Sequence, residues 1–282
     1  MATLSDTRRR LARRFRPVGK RLGAVGEHAE FYGKAIAGTP RALGHFRAET
    51  VRLIAEISMG TGALAVIGGT VVIVGFLTFF AGGTIAVQGY NSLGNIGVEA
   101  LTGFFAAFIN VRIAAPVIAG VGLAATIGAG STAQLGAMRV SEEIDALDSM
   151  AIPPIPFLVS TRLMAGVLAI VPLYSLAVIA SFVASRFATV VLFGQSPGVY
   201  DHYFRTFLVP TDILWSFVQA LAMGIAVMLI HTYYGYHASG GPVGVGVAVG
   251  NAVRTSLIVV VSVTLLISLA VYGLSGNFHL SD

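Results

Sequence analysis

The chain has 282 residues, of which 55% are hydrophobic and 11% are charged. Soluble domains carry about 25% charged residues, so this composition excludes a soluble globule and a disordered chain and indicates a membrane protein. The sequence contains 0 cysteines, which excludes disulfides, thiolate metal sites and cysteine nucleophiles.

The first feature in chain order is a basic N-terminal segment. Residues 1–52 hold 12 of the 18 Lys and Arg residues. Basic segments next to membrane spans stay in the cytoplasm, near anionic lipid headgroups. A nucleic-acid-binding arm is the alternative interpretation, and the adjoining apolar chain disfavours it because that chain already explains the charge. We therefore expect no nucleic-acid partner.

Residues 41–57 show the pattern of an amphipathic helix that begins near Pro40. Apolar side chains recur at steps of three and four residues, while charged side chains occupy the other faces. Beside a membrane domain, such a helix is expected to lie in the interface plane with its apolar side down. A helix packed on a partner subunit is the second interpretation.

Long windows without charge follow, and each can hold at least one apolar span of about 20 residues. They predict five transmembrane helices, at 61–88, 103–136, 162–186, 212–234 and 251–273. The polar residues of 89–98 are typical of a turn, and the Gly-rich residues 239–250 are typical of a loop. The second span is longer than a membrane requires, so it is expected to protrude or to break near Pro116.

The distribution of positive charge predicts the orientation in the plasma (inner) membrane. A cytoplasmic N-terminus places 15 basic residues inside and leaves Arg112, Arg186 and Arg205 outside. Five spans then put the C-terminus outside. The predicted division is a basic N-terminus with its interfacial helix at 1–57 and a transmembrane domain at 58–282.

The cytoplasmic loop at 139–156, RVSEEIDALDSMAIPPIP, is the most informative segment. Ser141 is a good residue for an N-cap, and the prolines from Pro153 onward end a helix. The predicted short helix carries four acids, Glu142, Glu143, Asp145 and Asp148, with an apolar edge that includes Leu147. A solvated acidic face is the alternative. A protein partner with a basic groove explains better why acids lie against anionic lipid.

Sequence motifs for catalysis are weak. The Gly-rich stretch lacks the Gly-Lys-Ser/Thr ending of a phosphate-binding loop, so this chain is not expected to bind ATP. His231 and His237 flank a tyrosine-rich span end and are expected at the interface. An intramembrane lipid-modifying enzyme would need a nucleophile and a base at one depth. Ser131 and Thr132 are the nearest hydroxyls, and no histidine or aspartate is expected beside them. A passive channel or assembly anchor is a further alternative.

Three segments carry a resemblance to a known family: FFAGGTIAVQGYNSLGNIG at 79–97, AQLGAMRVSEEIDAL at 133–147 and YYGYHASGGPVGVGVAVGNAVRTS at 233–256. They resemble the YrbE/MlaE permeases, the membrane subunits of Mla/Mce-type ABC lipid transporters. Gln134 and Gln219 stand where relatives often have Glu and Lys, and residues 122–130 lack a frequent Arg. These departures fit the actinobacterial YrbE branch, in which two different subunits pair.

The resemblance implies an all-α integral membrane protein with an interfacial N-terminal helix and five spans. It implies a coupling helix near 141–151 (Glu142, Glu143, Asp145, Leu147 and Asp148) that docks on a separate ATPase, which binds ATP and Mg. A second YrbE-type permease subunit and extracytoplasmic Mce-domain proteins would complete the system. Its cargo would be imported membrane lipids such as fatty acids and sterols. Leu77, Phe80 and Gln88 are candidates for the substrate pathway, and no cofactor, metal or catalytic residue is expected in this chain.

Overall fold

In the computed structural model, the described residues are 26–59 and 64–273, and within them the chain forms helices and turns without a strand. The basic run over 8–21 and the C-terminal residues 274–282 lie outside the described residues. The prediction of an all-α protein is confirmed for the described part of the chain.

Two helices precede the first span: α1 over 26–44 and α2 over Arg47–Met59. The single helix predicted to begin near Pro40 is therefore wrong, because Pro40 lies inside α1 and the chain bends at 45–46. Packing against the rest of the protein keeps α1 helical across Pro40. The Ser160 hydroxyl donates a hydrogen bond to the Ala35 carbonyl at 2.7 Å, and Ala35 is fully buried.

Among the residues that the structure describes, five helical segments are long and apolar enough to cross a membrane, which confirms the predicted number. Their bounds are Gly69–Gly94, Glu99–Val140, Ile155–Leu192, Pro210–Tyr236 and Gly241–Val271. The first lies within α3, Leu64–Gly94. The third contains α8, Thr161–Phe187, between the π-helical turns Ile155–Ser160 and Ala188–Leu192. A short helix, α9 (Pro197–Phe207), precedes α10 (Pro210–Tyr236).

The second span is continuous, but two π-helical turns interrupt its regular pattern. Its successive parts are a 3₁₀ turn at Glu99–Leu101, α4 at Thr102–Ile109, a π-turn at Asn110–Ala114, α5 at Ala115–Leu123, a π-turn at Ala124–Gly128 and α6 at Ala129–Val140. Pro116 is the second residue after the first π-turn, near the start of α5. Proline lacks an amide hydrogen, so an interruption at this place agrees with the expected break.

Two predicted turns are instead largely helical. α3 continues through the polar residues to Gly94, where Tyr90 stacks on Phe193 with ring centroids 4.2 Å apart. α11 (Gly241–Ser268) begins inside the predicted Gly-rich loop. Close packing explains this helix start, because a Cβ at Gly136 of α6 would lie 2.9 Å from Val245. Backbone groups in a membrane must also bond internally, which outweighs the low helix propensity of glycine.

The spans differ in how far the rest of the chain covers them. In spans two and four, the rest of the protein buries half of the most apolar stretch of the helix. The buried share is 28% in span one and 17% in span five. α8 packs against both α3 and α10, while α10 also packs against α6 and α11. Spans one and five therefore present the most uncovered apolar surface.

Candidate functional site

The predicted acidic helix is present as α7, Glu143–Ser149. Ser141 does not cap it, so that prediction is wrong. Ser141 ends α6 instead, and its hydroxyl lies 3.0 Å from the Ala137 carbonyl. Two residues in the left-handed conformation flank α7: Glu142, with φ of 62°, and Ala151, with φ of 58°. Each such non-glycine residue costs about 1–2 kcal/mol, so packing must hold these reversals.

α7 is anchored to the spans by one buried side chain and one ion pair. Ile144 is 1% exposed and packs with Leu135 of α6 and Leu158 at the start of span three. Arg139 of α6 binds Asp145 with an Nη1–Oδ1 distance of 2.7 Å. These contacts place α7 against the ends of both neighbouring spans.

The outer surface of α7 is acidic. The carboxylates of Glu142, Glu143, Asp145 and Asp148 are all exposed, while Leu147 is half-buried. Glu143 accepts a hydrogen bond from the Ser141 hydroxyl at 2.9 Å, which leaves its charge in place. The structure thus brings the five residues predicted for this site together on α7 and the residue before it, with Asp145 paired to Arg139 and the other three carboxylates exposed to solvent.

The three pathway candidates lie on another surface, along α3. Leu77 is 45% exposed, Phe80 is 56% exposed and Gln88 is exposed. Their spacing of three and eight residues puts them on one side of the helix. Phe76 extends this surface, since its ring centroid lies 4.5 Å from that of Phe80.

Span five offers a second apolar surface of the same kind. Its exposed positions recur at steps of three and four residues: Val243, Val247, Gly250, Arg254, Ile258, Val261, Leu265 and Leu269. Arg254 lies on the same side and is exposed. A stripe of this width needs lipid or another helix to cover it in a membrane.

Several polar contacts among the described residues join spans two and four inside the bundle, and two of them involve ionisable side chains. Near the ends remote from α7, Arg112 binds Asp212 at 2.7 Å, and its guanidinium lies 4.0 Å above the Phe108 ring. Closer to α7, Thr132 Oγ1 lies 2.8 Å from His231 Nδ1. His231 is fully buried, so its predicted place at the interface is wrong.

The Thr132–His231 pair also corrects the expectation that no histidine lies near the candidate hydroxyls. The two residues are 99 positions apart, so no local sequence signal could have revealed the pair. A hydroxyl bonded to an imidazole is one requirement of nucleophilic catalysis. Both side chains are fully buried, however, so substrate has no access to them.

Comparison with known proteins identifies the family. The family model of the permease MlaE matches residues 59–270. A probable ABC transporter permease protein of Rickettsia felis is 30% identical over 197 residues, which are 67% of this chain and 73% of the relative.

Two further relatives have more specific names. The intermembrane phospholipid transport system permease protein MlaE of Haemophilus influenzae is 25% identical over 69% of this chain and 75% of its own length. The chloroplastic protein TRIGALACTOSYLDIACYLGLYCEROL 1 of Arabidopsis thaliana is 27% identical over 64% of this chain and 51% of its own length. The match over 59–270 confirms the prediction of a permease subunit rather than an enzyme, and the chain belongs to the MlaE permease family.

Proposed function

We propose that this chain is the membrane subunit of an ABC transporter for lipids and that a separate ATPase docks on α7. The observation that carries the proposal is the acidic surface of α7 on a helix fixed by Ile144, which is 1% exposed. A fixed charged helix next to two spans can receive a force and pass it on, whereas a freely moving acidic loop cannot.

The uncovered spans support a lipid as the cargo. Spans one and five carry apolar faces that the described part of this chain leaves exposed, and Leu77, Phe80 and Gln88 lie on the first of them. Lipid tails suit such faces because they need no hydrogen-bond partners. The name of the Haemophilus influenzae relative favours a phospholipid. The resemblance to the YrbE branch favours fatty acids and sterols.

We further propose that a second YrbE-type permease subunit faces spans one and five, with cargo held between the two subunits. Extracytoplasmic Mce-domain proteins would then continue the lipid path, and the direction would be import. In this arrangement the N-terminus and α7 lie in the cytoplasm, the C-terminus lies outside, and the ATPase binds ATP and Mg.

Charge reversal on α7 tests the docking. The variant E142K/E143K replaces two exposed carboxylates and keeps both Ile144 and the Arg139–Asp145 pair intact. Like charges facing each other across an interface cost several kcal/mol, so at least a tenfold weaker association with the ATPase is expected. Lipid transport should fall with it.

The matched control is E27K/E99K, which makes the same change of charge at two exposed glutamates away from α7. This control should retain the ATPase through purification and should transport lipid like the unmodified chain. If E142K/E143K binds the ATPase as strongly as the control does, α7 is not the docking site.

A further inference from the structure

A hydrogen-bonded contact between spans two and four lies a few turns above α7. The Thr132 hydroxyl oxygen lies 2.8 Å from His231 Nδ1, 3.0 Å from the His231 carbonyl oxygen and 3.1 Å from the Gly128 carbonyl oxygen. Both side chains are fully buried. The contact therefore joins α6 to α10 in the interior of the bundle.

The number of hydrogens favours one assignment of donor and acceptor. Thr132 has one hydroxyl hydrogen and two nearby carbonyl acceptors for it, which favours the neutral His231 tautomer in which Nδ1 carries the ring hydrogen and donates it to Oγ1. Nε2 is then an acceptor, and it has no hydrogen-bond partner among residues 26–59 and 64–273. An acceptor without a partner costs less than a buried N–H without one. The ring is therefore held by Nδ1 and by packing.

Close backbone approach leaves this ring no room to shift. A Cβ at Gly128 would lie 2.7–2.9 Å from three atoms of the imidazole, so the ring packs directly on the backbone of span two at the last residue of the π-turn before α6. One turn further along α10, a Cβ at Gly235 would lie 2.9 Å from the Thr132 carbonyl oxygen. Both glycines are required for α6 and α10 to meet this closely.

The helix of span two is irregular just before α6, and α7 follows soon after α6. The π-turn Ala124–Gly128 precedes α6, and α6 leads through Ser141 and Glu142 into α7. A π-turn interrupts the regular hydrogen bonding of a helix, and such turns often occur at functional sites. It is the natural place for the span to bend when its end is moved.

We propose that Thr132 and His231 are a positioning pair that joins α6 and α10 into one rigid body. A displacement of α7 then moves span four together with the end of span two, and span two bends at Ala124–Gly128. This proposal rests on the proposed function, because it assumes that the ATPase moves α7. It adds the residues that carry the motion from α7 into the membrane.

The test compares T132V with T132S in the complex with the ATPase that co-purifies with the unmodified chain. Valine keeps the shape of threonine and removes the hydroxyl, whereas serine keeps the hydroxyl. A fluorescent phospholipid in reconstituted vesicles and the release of phosphate are measured together. We expect T132V to hydrolyse ATP within about twofold of the unmodified complex and to move about fivefold less lipid per ATP, the effect of one lost hydrogen bond. T132S should stay close to the unmodified complex.

Distances between spin labels report the motion directly, and the chain has 0 native cysteines to interfere. Labels at the exposed positions Ala137 of α6 and Ile225 of α10 report the rigid body, and a label at Ile179 of α8 serves as an outside reference. On nucleotide trapping, the 137–225 distance should stay within about 2 Å while the 137–179 distance changes by more. In T132V, the 137–225 distance should change as well.

Three results would overturn the positioning role. The first is an unchanged ratio of lipid to ATP in T132V, and the second is an unchanged 137–179 distance in the unmodified complex. The third is an equal loss of transport and ATP hydrolysis in T132V and T132S together with lower thermal stability, which would indicate a structural role only. Failure of the proposed function is recognised separately, since E142K/E143K would then keep its ATPase.

Discussion

The ion pair between Arg112 and Asp212 gives the sharpest prediction about how the bundle is held together. Arg112 lies in the π-turn Asn110–Ala114 of span two, and Asp212 lies in the first turn of α10. Nη2 and Nε of the arginine approach the same carboxylate oxygen at 2.7 and 3.1 Å. The side chains are 19% and 17% exposed, so water screens the pair only in part.

Removing one partner leaves the other charge largely buried. For fully buried pairs this costs about 3–5 kcal/mol, and partial exposure reduces the expected cost of D212N or R112M to about 2–3 kcal/mol of unfolding free energy. The double variant R112M/D212N removes both charges. It should therefore cost less than the sum of the single variants by at least about 1 kcal/mol.

The Arg186–Asp201 pair provides an internal control. Its side chains are 51% and 35% exposed, and exposed pairs contribute about 1 kcal/mol or less. D201N should therefore lower the unfolding free energy by no more than that.

Unfolding can be followed in mixed micelles by the fluorescence of Trp215, the 1 tryptophan of the chain, which lies three positions after Asp212. If the effects of R112M and D212N add to the effect of the double variant within about 0.5 kcal/mol, the two side chains act independently and the reasoning is refuted.

Three further predictions concern packing, backbone and pH. G82A should cost about 1–3 kcal/mol because a Cβ there would lie 2.5 Å from the Ser181 carbonyl oxygen. A Cβ at Gly83 would meet no atom within 4 Å, so G83A should raise the unfolding free energy by up to about 1 kcal/mol. Equal midpoints of thermal unfolding for G82A and G83A would contradict both predictions. A151G should raise the unfolding free energy by about 1 kcal/mol, since glycine accepts a φ of 58° without strain; a lower value would contradict this. Burial raises the pKa of Tyr32 to about 12. As pH rises, Tyr32 therefore ionises in the unfolded chain, near pH 10, before it ionises in the folded chain. The stabilisation that the neutral tyrosine gives below about pH 10 is lost as pH rises to about 12. Y32F should lose less stability over this range, and parallel pH curves would argue against the shift.

The sequence was sufficient for the parts of the fold that depend on composition and charge. Long charge-free windows predicted five spans, and the described part of the chain contains five helical segments of the required length and apolarity. The acidic helix was also predicted, because four carboxylates before a run of prolines leave a clear local pattern. The docking role of these residues, the pathway role of Leu77, Phe80 and Gln88, and the boundary at residues 57 and 58 stay predictions.

The sequence failed where contacts distant along the chain override local preference. Pro40 and the glycines of 241–250 normally interrupt helices, but the Ser160–Ala35 bond and the Gly136–Val245 approach hold these segments helical. Ser141 has the chemistry of an N-cap, yet α6 continues to Val140 and uses Ser141 at its end. The Thr132–His231 and Arg112–Asp212 contacts join residues 99 and 100 positions apart, a distance over which a single sequence carries no pairing signal.

The most direct test of the account is the protection of α7 by the ATPase. Ala146 is exposed on α7, and Thr206 is exposed on α9 near the opposite end of the bundle. Since the chain has 0 cysteines, A146C and T206C each introduce the single reactive thiol. In inverted membrane vesicles, a membrane-impermeant maleimide should label A146C without the ATPase and label it at least tenfold more slowly with the ATPase bound. T206C should react only from the other side of the membrane, with or without the ATPase. Equal labelling of A146C in both states, or labelling from the outer side, would contradict the assignment of α7 as the docking helix.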